Sequence, residues 1–210
     1  TNGFRIPLNN YNFDEQKESI LILGDSVSTG VGIKEKDTFI GLMRVEKNKN
    51  LLNSSVSGHN VKSYLYLIKK YKNSENINFT NTIIFLCLND IVPFQGIIRG
   101  NSDNNEVRKV LFDRPIIDKV AIKINVYFRE RSALFVLLKG FITNPAKRHY
   151  SLMANLYEEE NNLIKLKRHI LDIYKYSQIH GIETKFILLP YAYQVKNNCR
   201  ADLMKPQTEI

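Results

Sequence analysis

Cysteine is scarce in this chain: there are two, Cys87 inside an apolar run and Cys199 on a polar stretch near the end. Two thiols so placed build neither a disulfide framework nor a metal site. Histidine is equally thin, with four residues, His59, His149, His169 and His180, scattered without ligand spacing. No metal and no cofactor are therefore implied. The lysine-bearing phosphate loop and the G-x-G-x-x-G fingerprint are both missing, which counts against a flavodoxin-like nucleotide binder built on the Gly24 to Gly32 loop. Acid is also short: 30 Lys and Arg stand against 21 Asp and Glu, for a net charge of +9. The surplus is local. Between Ala121 and Tyr150 six basic residues (Lys123, Arg129, Arg131, Lys139, Lys147, Arg148) face one acid (Glu130), so five of the nine excess charges lie there. The longest apolar run of that segment, Ala133 to Leu138, is too short to cross a bilayer, so no transmembrane segment is expected. With no nucleic-acid motif and no basic character across the whole domain, a nucleic-acid partner is not expected either.

What is present is a core. At 210 residues and 43% hydrophobic, the chain suffices for one domain over residues 1–210. Apolar runs at about 19–24, 50–54, 82–88 and 182–189 read as strands, and helical spacing fills the intervals between them. Val61, Tyr64, Leu65 and Ile68 follow Asn60, a suitable N-cap. Leu156, Leu163, Leu166, Ile170 and Ile173 form a longer stripe ending at His180 and Gly181. Alternation of this kind predicts an α/β class, a three-layer α/β/α, flavodoxin-like doubly wound parallel sheet. Residues 91–150 read as an insertion. Its mixed apolar and basic residues fit a lid, an interfacial helix, a site for anionic polysaccharide, or simply an amphipathic helix with a solvated basic face.

Three strand ends carry the chemistry. Ile20-Leu21-Ile22-Leu23 gives out into Gly24-Asp25-Ser26, which puts a serine hydroxyl at the carboxyl end of a buried strand, where open α/β sheets hold their ligands. After Leu51-Leu52 comes Asn53-Ser54-Ser55-Val56-Ser57-Gly58, and after Ile83 to Leu88 comes Asn89-Asp90. A serine is a weak nucleophile unless a base removes its proton and fixed donors receive the oxyanion. Ser26 is thus a nucleophile or a helix cap, Gly58 an oxyanion donor or a turn glycine, and Asn89 an oxyanion donor or a cap. Asp25 is expected to brace the loop by hydrogen bonding to backbone, Cys87 to be a buried thiol, and His59 to be ordinary surface or a substitute base.

Taken in order, Gly-Asp-Ser, then Asn-x-x-x-x-Gly, then a strand ending in Asn-Asp, the sequence resembles the SGNH/GDSL hydrolases. The Thr1 to Arg5 opening, the GDSVSTGVGIKEKDTF stretch and Phe186 to Tyr191 resemble a bacterial branch linked to acyl groups on cell-envelope polysaccharides. The resemblance implies Ser26 as nucleophile, with the oxyanion held by the Ser26 N–H, the Gly58 N–H and the Asn89 amide. It implies a small-molecule or carbohydrate ester as substrate, hydrolysis or acyl transfer as the reaction, and an envelope location. Two departures stand out. The third block reads Cys87-Leu88-Asn89-Asp90 where the family has Gly-x-Asn-Asp, and no aspartate is followed three positions later by the family's histidine. The chain is accordingly expected to hold four of about five strands and to lack the block that carries the general base. A catalytically silent glycan- or partner-binding domain is the alternative expectation.

Overall fold

The computed structural model describes residues 4–6, 17–46, 50–74, 77–91, 124, 126–128, 130–142 and 144–210. Most of the predicted insertion, and the Thr1 to Gly3 opening, lie outside these residues.

Four strands form one parallel sheet: β1 (Ser19–Leu23), β2 (Asn50–Asn53), β3 (Asn81–Leu86) and β4 (Glu183–Leu188), in the order β2-β1-β3-β4. Ile20 sits beside Leu51 and Asn81, and Ile84 beside Phe186, so the carboxyl ends of the strands finish along one edge. Side chains alternate across a strand, and β1 divides accordingly. Leu21 and Leu23 enter one core with Leu52, Ile84 and Leu86, while Ile22 enters the other with Leu51 and Phe85. A run that is apolar on both faces is what a covered parallel sheet requires.

Helices close both faces. On the first lie α3 (Val61–Lys72), α5 (Pro145–Leu156) and α6 (Glu160–Ile179). On the second lies α2 (Phe39–Glu46), whose Ile40 is buried against Ile22 and Phe85. Further helices are the single turn α1 (Ser26–Thr29), α4 (Ala133–Ile142), α7 (Ala192–Lys196) and α8 (Ala201–Thr208). The arrangement is the expected three-layer α/β/α, doubly wound fold.

Caps and stripes explain the boundaries. Asn60 Oδ1 accepts from the Ser63 N–H at 3.3 Å and starts α3, which buries Val61, Tyr64, Leu67, Ile68 and Tyr71 at helical spacing. Asn144 Oδ1 accepts from the Lys147 N–H at 3.0 Å and starts α5, with Pro145 in the first turn, where its missing N–H costs nothing. The long stripe is two helices: Leu156 ends α5, and the chain turns at Tyr157 to Glu159 before α6 begins. The step from Leu156 to Leu163 is seven residues, two helical turns, so the apolar period runs on across the break and hides it.

Candidate active site

Ser26 occupies the first position of α1, directly beyond β1. The tightness of that turn is set by Gly24, where a Cβ would stand 2.4 Å from Ser28 Oγ and 2.6 Å from Ser28 Cβ. Only a glycine lets the strand pass so close to the helix it feeds. Asp25 caps α1, its Oδ1 accepting from the Val27 N–H at 2.9 Å, and Gly30 ends it at φ 67°. Asp25 braces the loop, as expected from the sequence.

Asp25 is also the hub of the site. It is fully buried, and its second oxygen accepts from Asn89 Nδ2 at 2.7 Å and from the Ser26 hydroxyl at 3.4 Å. Cys87 Sγ donates to Oδ1 at 3.5 Å. Burial pushes the Cys87 thiol far above its usual range, so it is a buried donor and not a nucleophile. Asn89 lies in a 3-10 turn, Leu88–Ile91, beyond β3, and its Oδ1 accepts from the Tyr191 hydroxyl at 2.9 Å. A second buried carboxyl sits beside it. Asp90 accepts from the Cys87 N–H at 2.6 Å and from the Tyr64 hydroxyl at 2.7 Å. Burial nevertheless raises Asp90 to about 8 against the pull of those two hydrogen bonds.

Ser26 and Asn89 open onto one cleft of about 330 Å3, whose other walls include Ala146, His149, Met153 and Tyr191. Ala146, His149 and Met153 lie on one face of α5, and the predicted basic side is the opposite one, with Lys147 and Arg148 exposed. His149 stacks on Tyr191, the ring centroids 5.1 Å apart and the planes 11° from parallel. Among the described residues no histidine hydrogen-bonds Ser26; the acceptor within reach of its hydroxyl is Asp25.

Gly58 stands at the same sheet edge, beyond β2, with φ 85° and open space around it. It is not among the residues lining the cleft, so Ser26 and Asn89 are brought together there without it. His59, next to it, is half-buried, its Nδ1 without a hydrogen-bond partner among the described residues, and burial lowers its pKa. It too is absent from the lining. Cys199 is exposed, and among the described residues no cluster of His, Cys, Asp or Glu has metal-binding geometry. No helix among the described residues is long and apolar enough to cross a membrane.

No protein-family model matches the chain, and no curated protein does. Solved structures similar to it include a protein described as lipolytic, of the G-D-S-L family, from Desulfitobacterium hafniense DCB-2. It has 10% identity and a TM-score of 0.42, and the match covers 90% of this chain and 73% of that one. AlinE4, an SGNH-hydrolase family esterase, gives 15% identity and a TM-score of 0.31 over 91% of this chain and 84% of its own. The psychrotrophic esterase EstA from Pseudoalteromonas sp., inhibited by monoethylphosphonate, gives 13% and 0.34 over 89% and 84%. The likeness is thus to SGNH/GDSL-type structures, at identities and TM-scores that carry no residue roles across.

Two cleft residues escape a reading by motif. Tyr191 follows β4 as Ser26 follows β1 and Asn89 follows β3, so the strand-end rule applied to the fourth strand points to it. His149 has no such signal: it sits mid-helix among basic neighbours, and only the packing of α5 turns it to the cleft.

Proposed function

We propose that this chain is a serine acyl-transfer domain that accepts the acyl group of an ester on Ser26 and passes it to water or to a second hydroxyl. The observation that supports this best is the shared cleft: a serine at a strand-to-helix turn and an asparagine amide from the next strand, both held by one buried carboxylate. In the reaction the Ser26 oxygen bonds to the ester carbonyl carbon and its proton passes to solvent. The carbonyl oxygen takes the negative charge and faces the Asn89 N–H that Asp25 does not use. Collapse then breaks the carbon–oxygen bond to the leaving group, which takes a proton from solvent and departs as the alcohol, and leaves the acyl group on Ser26. Gly58, with no hydrogen bond from its N–H among the described residues, is the second candidate donor, for a substrate that reaches past the cleft. The substrate class we assign is an O-acyl ester small enough for a cleft of about 330 Å3, a sugar ester of the cell envelope included.

The proton is the weak point. With no imidazole on the Ser26 hydroxyl among the described residues, an acyl-enzyme forms slowly, and this same observation favours a second reading in which the cleft binds an ester or glycan without turning it over. Steady-state hydrolysis of p-nitrophenyl acetate by the 210-residue chain separates the two. The enzyme reading expects a low rate that Ser26→Ala abolishes, several orders of magnitude below that of a complete triad, as is common when one member is missing. A rate unchanged in Ser26→Ala supports the binding reading.

A further inference from the structure

Two hydrogen bonds hold the amide of Asn89 from opposite sides. Its nitrogen donates to Asp25 Oδ2 at 2.7 Å, and its oxygen accepts from the Tyr191 hydroxyl at 2.9 Å. The Asp25 oxygen accepts and the Tyr191 hydroxyl donates, so the nitrogen faces Asp25 and the oxygen faces Tyr191. One amide hydrogen is consumed and one is left for the cleft. The last torsion of an asparagine side chain is broad, so an anchor at the nitrogen alone lets the amide plane turn, whereas a second anchor at the oxygen fixes it.

Tyr191 is itself tightly placed. Its backbone N–H donates to Gln194 Oε1 at 2.6 Å, and the fully buried Gln194 exchanges two hydrogen bonds with Gln207, at 2.9 and 3.0 Å. Its ring lies flat on His149. The hydroxyl takes no part in these named contacts.

We propose that Tyr191 is a positioning residue, whose hydroxyl fixes the plane of the Asn89 amide so that the free N–H meets the oxyanion formed at Ser26. The inference rests on the reading of Ser26 as nucleophile and adds a member to its machinery from the far end of the chain. Burial, reinforced by the neighbouring Cys87 and Asp25, holds the phenol well above its usual range. It therefore stays a donor through neutral and moderately alkaline pH.

The test is the rate at which a p-nitrophenyl alkylphosphonate labels the full chain. The Ser26 oxygen bonds to phosphorus, p-nitrophenolate leaves, and the serine proton passes to solvent. Wild type is labelled on Ser26, and Tyr191→Phe is labelled about ten- to a hundred-fold more slowly at saturation, part of the loss expected for a whole oxyanion donor. Half-saturation is unchanged, because the oxyanion donor acts on developing charge and not on ground-state binding. In an Asn89→Ala background the Phe substitution has no further effect, as expected when one residue acts through the other. Should Tyr191→Phe fail to fold, 4-aminophenylalanine and 4-methylphenylalanine at position 191 give a size-matched pair, and only the amine retains fast labelling. Equal rates in that pair, no slowing in Tyr191→Phe, or slowing by the same factor with and without Asn89 overturns the inference while leaving Ser26 labelled. Absence of label on Ser26 in wild type overturns the nucleophile reading, and the role of Tyr191 with it.

Discussion

Asn89 shows how much one side chain does when both ends of its amide are held. Removing that amide leaves the Ser26 hydroxyl where it is and, on the proposed function, removes one oxyanion donor. Asn89→Ala is therefore expected to lower kcat by about a hundred- to a thousand-fold with little change in KM, the pattern of an interaction made chiefly in the transition state. Steady-state kinetics on an aryl ester checks it, and a rise in KM at constant kcat would assign Asn89 to substrate binding. Asp90, one residue on, carries a different consequence. Its folded-state pKa of about 8 lies above the ordinary value of 3.8, so its neutral form stabilises the fold fully below about pH 4. That stability is lost as pH rises through about 8. The thermal midpoint of wild type relative to Asp90→Asn is expected to fall between pH 5 and 8.5. The difference isolates Asp90 from other titrating groups, and parallel curves would show that the carboxyl is already ionised.

At the scale of elements, the site is built by what ends each strand. Gly24 lets β1 turn into α1 without a gap, and Asp25 starts the helix that presents Ser26. Gly24→Ala forces a methyl to within 2.4 Å of Ser28 Oγ in a side chain that is itself fully buried. Overpacking of this kind costs about 1–3 kcal/mol, and the displaced turn carries Ser26 with it. The expected outcome is a lower denaturant midpoint together with a larger loss of phosphonate labelling than the stability change explains; full labelling in Gly24→Ala would separate the turn from the site. The same strand ends govern what the sequence could reveal. β1, β2 and β3 were legible because each carries apolar residues on both faces and the apolar runs give out into Gly24, Asn53 and Asn89. The turn between α5 and α6 was not, because Leu156 and Leu163 keep the helical period across it. His149 was hidden for a related reason: a helix face that lines a cleft reads, in sequence, like any mixed surface.

Across the whole molecule, the cleft draws on parts far apart in the chain: Ser26 after the first strand, Asn89 after the third, His149 from α5, and Tyr191 after the fourth. The parallel sheet brings them together, since every strand runs the same way and delivers its carboxyl end to one edge. The Gln194 and Gln207 pair, with Gln194 Nε2 and the Tyr150 hydroxyl both donating to the Leu203 carbonyl, fastens α7 and α8 to α5 and so sets the wall that carries Tyr191. Motif order in the sequence picked out the two residues that share Asp25, whereas the place of His149 on the wall opposite depends on tertiary packing that no local pattern records. On the proposed function Ser26 attacks and Asn89 receives the oxyanion. The most direct measurement of this is a crystal structure of the protein after reaction with an alkylphosphonate. Phosphorus bonded to Ser26 Oγ and a phosphonyl oxygen about 2.7–3.1 Å from Asn89 Nδ2 are the expected result. Phosphorus on any other residue, or a phosphonyl oxygen turned away from Asn89, would contradict it.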